Sequence, residues 1–183
     1  MYRISELIQV NRRVFHTNDL ATLWEIENRQ TLYTTISRYI DRRILFPVYK
    51  GLYATVPLSD LDPLELGPAI AHSYTYLTTE SVLDRAGAVS QPARVYTFAA
   101  GQSRRVSVGG WTFRFRQLKD EYLHNPSGVE WEDPAFIASP ERAAADMLYY
   151  NPTFHFDVPE AIDFDRVREL QEEIGYPHAG PAA

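Results

Sequence analysis

The chain has 183 residues, a formal net charge of −6, 45% hydrophobic and 23% charged residues, and no cysteine. That composition excludes disulfides, thiolate metal sites, thiol catalysis and disorder of the whole chain. No apolar run reaches the ~20 residues that cross a bilayer, and Met1-Tyr2-Arg3-Ile4-Ser5-Glu6 lacks the apolar centre of a signal peptide, so a cytoplasmic protein with no membrane partner is expected. The charge is unevenly divided. Residues 1–58 hold eight Lys/Arg against five Asp/Glu, and residues 59–183 hold ten against nineteen. Two domains with those bounds are expected, the first able to approach a polyanion.

The first helix is expected over about residues 2–11, with Ile4, Leu7 and Ile8 as its apolar stripe. Val14-Phe15-His16 reads as a brief extended piece. Thr17 then reads as an N-cap, with Asp19 near the positive end of the dipole of a second helix that ends near Asn28. A third helix, about residues 30–43, puts Leu32, Ile36 and Ile40 on one line flanked by Tyr33 and Tyr39, which is a core face. Its opposite arc collects Thr31, Thr34, Thr35, Arg38, Asp41 and Arg42. Hydroxyls in the early turns and arginines in the later ones suit base edges and phosphates. Arg43 falls on the apolar side, where a snorkelling or capping role is expected.

Two strand-like runs around Lys50-Gly51 read as a β-hairpin, with Pro47 keeping its strand at an edge. Three helices and a hairpin within ~60 residues form the pattern of a winged helix-turn-helix, with Tyr49 and Lys50 at the wing tip. The segment from Pro57 to Pro63 reads as the boundary. Asp62-Pro63-Leu64-Glu65 then starts a helix, with Asp62 as cap and Glu65 reaching back. A further helix, about Thr79–Arg85, stops at Gly87, as a left-handed cap requires.

From there the period changes to two. Arg94–Ala99 reads as a strand, and Arg105–Val108 and Trp111–Leu118 flank the hairpin signal Gly109-Gly110. Trp111, Phe113 and Phe115 alternate with Thr112, Arg114 and Arg116, so one face is apolar, with Trp111 expected in the core. The other face shows Arg105, Arg114 and Arg116. Val129–Glu132 and Ala135–Ala138 are short strand candidates. Ser139-Pro140-Glu141 opens a helix through about Tyr150, and a last amphipathic helix near Ile162–Ile174 precedes a tail expected to fray. The fold class expected is α+β: an N-terminal winged helix-turn-helix, then an α+β domain with helices and a small, mostly antiparallel sheet.

Signs of catalysis are thin. The five histidines, at 16, 72, 124, 155 and 178, lack metal-ligand spacing, and His155-Phe156-Asp157 is an isolated pair. Glu141 and Asp146 lie about 140° apart around a helix and cannot share a face. Arg142 and Asp146, at i, i+4, read as an ordinary surface ion pair. There is no phosphate-binding loop, nucleophile elbow or Gly-Ser-x-Asp nucleotidyltransferase signature. No catalytic residue, metal or cofactor is expected.

The order of short motifs carries more than any one of them. Phe15-His16-Thr17-Asn18-Asp19-Leu20 is followed by Tyr39-Ile40-Asp41-Arg42-Arg43-Ile44-Leu45 and Lys50-Gly51-Leu52-Tyr53-Ala54. Ser81-Val82-Leu83 with Gly87, Val95-Tyr96-Thr97-Phe98, and Ala138-Ser139-Pro140-Glu141-Arg142-Ala143 with Asp146-Met147-Leu148 complete the series. Over roughly residues 5–150 this series resembles the AbiEi antitoxin family, the antitoxin half of the AbiE abortive-infection (type IV) toxin–antitoxin systems of bacteria. The resemblance implies a winged-helix module that represses its own operon. It also implies a C-terminal domain that counteracts a partner nucleotidyltransferase toxin, not necessarily through contact.

The residues expected to meet promoter DNA are Thr31, Thr34, Thr35, Arg38, Arg42 and Lys50, with a homodimer or cooperative monomers on inverted half-sites. Arg105, Arg114 and Arg116 form a candidate face for an anionic partner. Two alternatives stay open: a plain winged-helix regulator without a toxin, and an interaction module that packs on a protein and never touches DNA.

Overall fold

The computed structural model describes residues 2–10, 12–90 and 94–177, without the side chains of Tyr2 and Arg3. The chain mixes helices and sheets and divides into two compact units, Met1–Ile70 and Ala71–Ala183. Among the described residues no helix is long and apolar enough to cross a membrane.

The first unit runs α1 (Tyr2–Gln9), β1 (Val14–His16), α2 (Thr17–Leu23), α3 (Arg29–Asp41), β2 (Phe46–Tyr49), β3 (Leu52–Ala54) and α4 (Pro63–Ala71). Its three strands lie in the order β1-β3-β2, both ladders antiparallel. The core gathers Leu7, Phe15, Leu20, Trp24, Ile26, Leu32, Ile36, Tyr39 and Leu45, and Trp24 meets Tyr39 edge-on at 5.2 Å. The stripe on α1 is narrower than its spacing suggests, because Ile8 is exposed.

The helix ends follow local chemistry. The His16 N–H donates to Asp19 Oδ2 at 2.8 Å, so His16 stands at the cap and Thr17 is the first helical residue. Helix α2 stops at Leu23, short of the expected Asn28, because Glu25 turns to φ +51° and the Ile26 N–H closes on the Ala21 carbonyl. Asn28 instead caps α3, its Oδ1 accepting from the Thr31 N–H at 3.0 Å. At the far end Arg43 takes φ +57° and donates its N–H to the Ile40 carbonyl, while the Ile44 N–H reaches the Tyr39 carbonyl. This is a Schellman cap with an arginine in the left-handed position.

Helix α4 lies within the first unit except for its last residue, Ala71, although the composition places a boundary at 58/59, before it. Glu65 faces Arg13 as an ion pair instead of reaching back to its own cap, and His16 Nε2 lies 2.6 Å from the Ala69 carbonyl. Arg13 also donates to the Asp60 carbonyl at 3.1 Å. Counted to Ile70, Asp60, Asp62 and Glu65 join the five acids before them, so eight bases meet eight acids. Any attraction of this unit for a polyanion therefore comes from where its charges stand.

The second unit contains β4 (Tyr76–Leu77), α5 (Glu80–Arg85), β5 (Val95–Ala100), β6 (Arg104–Val108), β7 (Trp111–Gln117), α6 (Asp120–Leu123), β8 (Val129–Glu132), β9 (Ala135–Ala138), α7 (Pro140–Tyr150) and α8 (Phe164–Ile174). Its sheet has six strands in the order β6-β7-β5-β4-β9-β8. It is larger than the small sheet expected, and it is mixed: β5–β7 and β4–β9 are parallel, the other three ladders antiparallel. Strand β4 joins the two halves, and at two residues it is too short to show an alternating pattern.

Phe98 stacks on Phe115 and Tyr96 on Phe113 across the β5–β7 ladder, at 5.8 and 5.9 Å. Trp111, expected in the core, is only half-buried. Ser139 caps α7 by accepting from the Arg142 N–H, and Gly87 takes φ +75° after α5, both as the sequence suggests. Of the tail beyond Ile174, Tyr176 is buried. Residues 178–183, with His178 and the fraying expected there, lie outside the described residues.

Candidate nucleic-acid interface

Helix α3 buries Leu32, Ile36 and Tyr39, at positions i, i+4 and i+7, while Ile40 is half-buried and Tyr33 is 51% exposed. The opposite arc is open: Thr31, Thr34, Arg38, Asp41 and Arg42 are exposed and Thr35 half-buried. The spacing thus separates core from surface, with Tyr39 replacing Ile40 in the apolar line.

Lys50 is exposed at the hairpin tip beside Gly51, which takes φ +68°. The Gly51 carbonyl accepts from the Thr17 N–H at 2.8 Å and from Thr17 Oγ1 at 3.2 Å. The first turn of α2 therefore holds the tip in place.

Among the described residues, the ion pairs of this unit are Arg12–Asp19 and Arg13–Glu65. Arg29, Arg38, Arg42, Arg43 and Lys50 are exposed and enter none of them. Among the described side chains, the cations of this unit outside ion pairs therefore stand on α3, directly after it and at the hairpin tip. The six residues expected at a DNA surface are all wholly or partly accessible.

The second unit treats its arginines differently. The register sets Arg105 opposite Arg114 on β6 and β7, so these two do share a face, as does Arg116. Arg105 is exposed, but Arg114 and Arg116 both reach Glu80 on α5, Arg114 at 3.1 Å. Arg116 also lies over the Tyr150 ring at 5.3 Å, and Thr79 Oγ1 donates to the other Glu80 oxygen at 2.8 Å. The candidate face for an anionic partner is in part covered, and two of its three cations have an internal counterion.

The surface pair expected of Arg142 and Asp146 lies in the interior: both side chains are fully buried. Arg142 Nε donates to Asp146 Oδ1 at 2.9 Å. Its Nη1 reaches the Asn125 and Ser127 carbonyls, and its Nη2 reaches Tyr76 Oη and the Tyr122 carbonyl, at 2.7 to 3.1 Å. All five guanidinium donors are used. Asp146 accepts in turn from Arg142, Tyr176, Tyr76 and Thr78, at 2.7 to 3.0 Å.

Burial opposes the Arg142 charge, yet the Asp146 carboxylate, with Tyr76 and Tyr176 beside it, holds the guanidinium above its ordinary pKa. Burial first, and then the Asp146 charge, push the Tyr76 and Tyr176 phenols up. Sequence spacing does not reveal this cluster, because its other members come from β4, the segment after β7 and the chain beyond α8.

Among the described residues no group of three His, Asp or Glu side chains could hold a metal. An open cleft of about 340 Å³ lies beside Ser73, Gly101, Gln102 and Arg104. No protein-family model matches the chain, and no curated protein matches it.

Proposed function

We propose that the chain is a DNA-binding repressor of the AbiEi antitoxin type. On this reading residues 1–58 act as a winged helix-turn-helix on promoter DNA, and residues 59–183 oppose a nucleotidyltransferase toxin. The element order α1-β1-α2-α3-β2-β3, with strands in the order β1-β3-β2, supports the winged-helix reading. The observation that carries it is the outward arc of α3, where Arg38 and Arg42 are exposed without an ion pair among the described residues, together with Lys50, exposed at the tip of the β2–β3 hairpin. In this role α3 enters the major groove, its early threonines meet base edges, and its later arginines and Lys50 meet phosphates. The antitoxin role rests on motif order alone. A nucleotidyltransferase gene beside this one would separate an antitoxin from a plain regulator.

The test is a footprint and gel shift on the native upstream DNA at several ionic strengths. A protomer that neutralises ~4–5 phosphates gives a slope of about −4 in log K against log salt. Arg38→Ala should abolish operator binding and leave the far-UV spectrum unchanged. A slope near zero, or an Arg38→Ala variant that binds normally, would overturn the proposal.

A further inference from the structure

The threonines on the outward arc of α3 hold their hydroxyl protons inside the helix. Thr34 Oγ1 lies 2.8 Å from the Gln30 carbonyl and Thr35 Oγ1 2.8 Å from the Thr31 carbonyl. Thr31 Oγ1 lies 3.3 Å from the Asn28 Oδ1 that caps the helix. Carbonyl and amide oxygens only accept, so the hydroxyl is the donor in every pair, and each hydroxyl has one proton to give. What the exposed Thr34 offers outward is a methyl group and oxygen lone pairs, and no donor.

The geometry points to recognition of a methyl group. Resting on the DNA-binding reading above, we infer that Thr34, with Thr35 beside it, selects thymine through its 5-methyl group, the one apolar feature on a major-groove base edge. The first turns of a recognition helix are the part that reaches base edges. Donors for guanine and phosphate oxygens come from Arg38 and Arg42, one and two turns further along the same arc. A threonine that instead donated to a base would give up its bond to the i−4 carbonyl, so the resting rotamer favours the methyl contact. Thr34 is thereby a specificity residue, whereas Lys50 contributes charge without reading sequence.

The experiment uses the full chain to select duplexes from a random-sequence pool. The enriched duplex is then resynthesised with single thymines replaced by deoxyuridine, which pairs identically and lacks only the methyl group. One or two thymines should matter, each substitution weakening binding about fourfold, as expected for one buried methyl group. Thr34→Ser, which keeps the hydroxyl and loses the methyl, should reproduce that loss on the thymine duplex and add none on the deoxyuridine duplex. Thr34→Val, which keeps methyl groups and loses the hydroxyl, should bind about as tightly as the parent chain. The inference is overturned if deoxyuridine has no effect at any position, or if Thr34→Val loses binding as Thr34→Ser does. A pool with no enriched duplex would overturn the DNA-binding reading itself, and this inference with it.

Discussion

Arg38, in the last turn of α3, and Arg142, in the first turn of α7, are the same residue type on a helix, and they have opposite fates. Arg38 stands in solvent with no ion pair among the described residues. Arg142 is fully buried, and each of its five donors has an acceptor. The difference lies in the acceptors that distant chain segments bring within reach. In the first unit Arg12 and Arg13 are ion-paired, while Arg29, Arg38, Arg42, Arg43 and Lys50 are exposed without an ion pair among the described residues, and so remain available to a polyanion. The second uses arginines as internal fasteners: Arg142 ties α7 to β4 and to three carbonyls between Tyr122 and Ser127, and Arg114 and Arg116 tie β7 to Glu80.

Close packing around this fastener extends to Gly128, which takes φ +70° and would set a Cβ 2.8 Å from the Arg142 Cβ. Removing the fastener should have the largest effect of any single change. Arg142→Met leaves the Asp146 carboxylate buried without its cation and strips donors from three carbonyls. A loss of about 3–5 kcal/mol is expected in urea denaturation of the full chain. Arg142→Lys should not rescue it, because three donors on a flexible stem cannot replace a planar fork of five. A loss under about 1 kcal/mol would mean that solvent reaches the pair and that the contrast between the two units is false.

Alkaline pH probes the same cluster more gently. Tyr76, Tyr150 and Tyr176 have phenol pKa values raised by burial and by the nearby Asp146 carboxylate. In the unfolded chain a tyrosine loses its proton near pH 10. Below about pH 9 both states keep all three protons, and these groups contribute no pH dependence. Above about pH 10 the unfolded state releases protons that the folded state retains, so stability falls as pH rises, by about 1.4 kcal/mol per pH unit for each tyrosine. Urea midpoints should therefore be flat from pH 7 to 9 and drop steeply beyond about 10, and Tyr176→Phe should make the drop shallower. A midpoint that stays level to pH 11 would show that the phenols are not held as described.

What was legible in the sequence follows the range of the interactions. Ser139-Pro140, Asp62-Pro63, Gly87 and Gly109-Gly110 act within a few residues, and the elements they start, stop or turn lie where those residues suggest. The core and solvent sides of α3 were legible too, because one turn of a helix repeats every few residues, although Tyr39 and Ile40 exchanged places. The size of the larger sheet was not. Strand β4 is too short to alternate, and β5 passes over the β6–β7 hairpin signal to pair with β7 in parallel. The burial of Arg142 and Asp146 was equally hidden, since i, i+4 spacing is the same for a surface pair and an interior one. Partners far away in the chain distinguish the two: Tyr76, Thr78 and Tyr176, and the carbonyls of Tyr122, Asn125 and Ser127. The same holds for Arg114 and Arg116, whose alternation shows in the sequence while their counterion, Glu80, lies on another element.

The smallest expected effect belongs to Lys50, and it tests the free-cation side of the contrast. Lys50 is exposed at a turn whose backbone is held by Thr17, so Lys50→Ala removes a charge without disturbing the hairpin, and the urea midpoint should not move. A lysine ammonium is a point charge without the bidentate geometry that reads a base. Its loss should weaken binding to all duplexes alike and make the salt slope shallower by about 1, because one fewer phosphate is neutralised. A slope that stays the same while preference among duplexes changes would place Lys50 on a base edge. The hairpin would then contribute to sequence choice, and the division of labour between threonines that read and cations that hold would have to be redrawn.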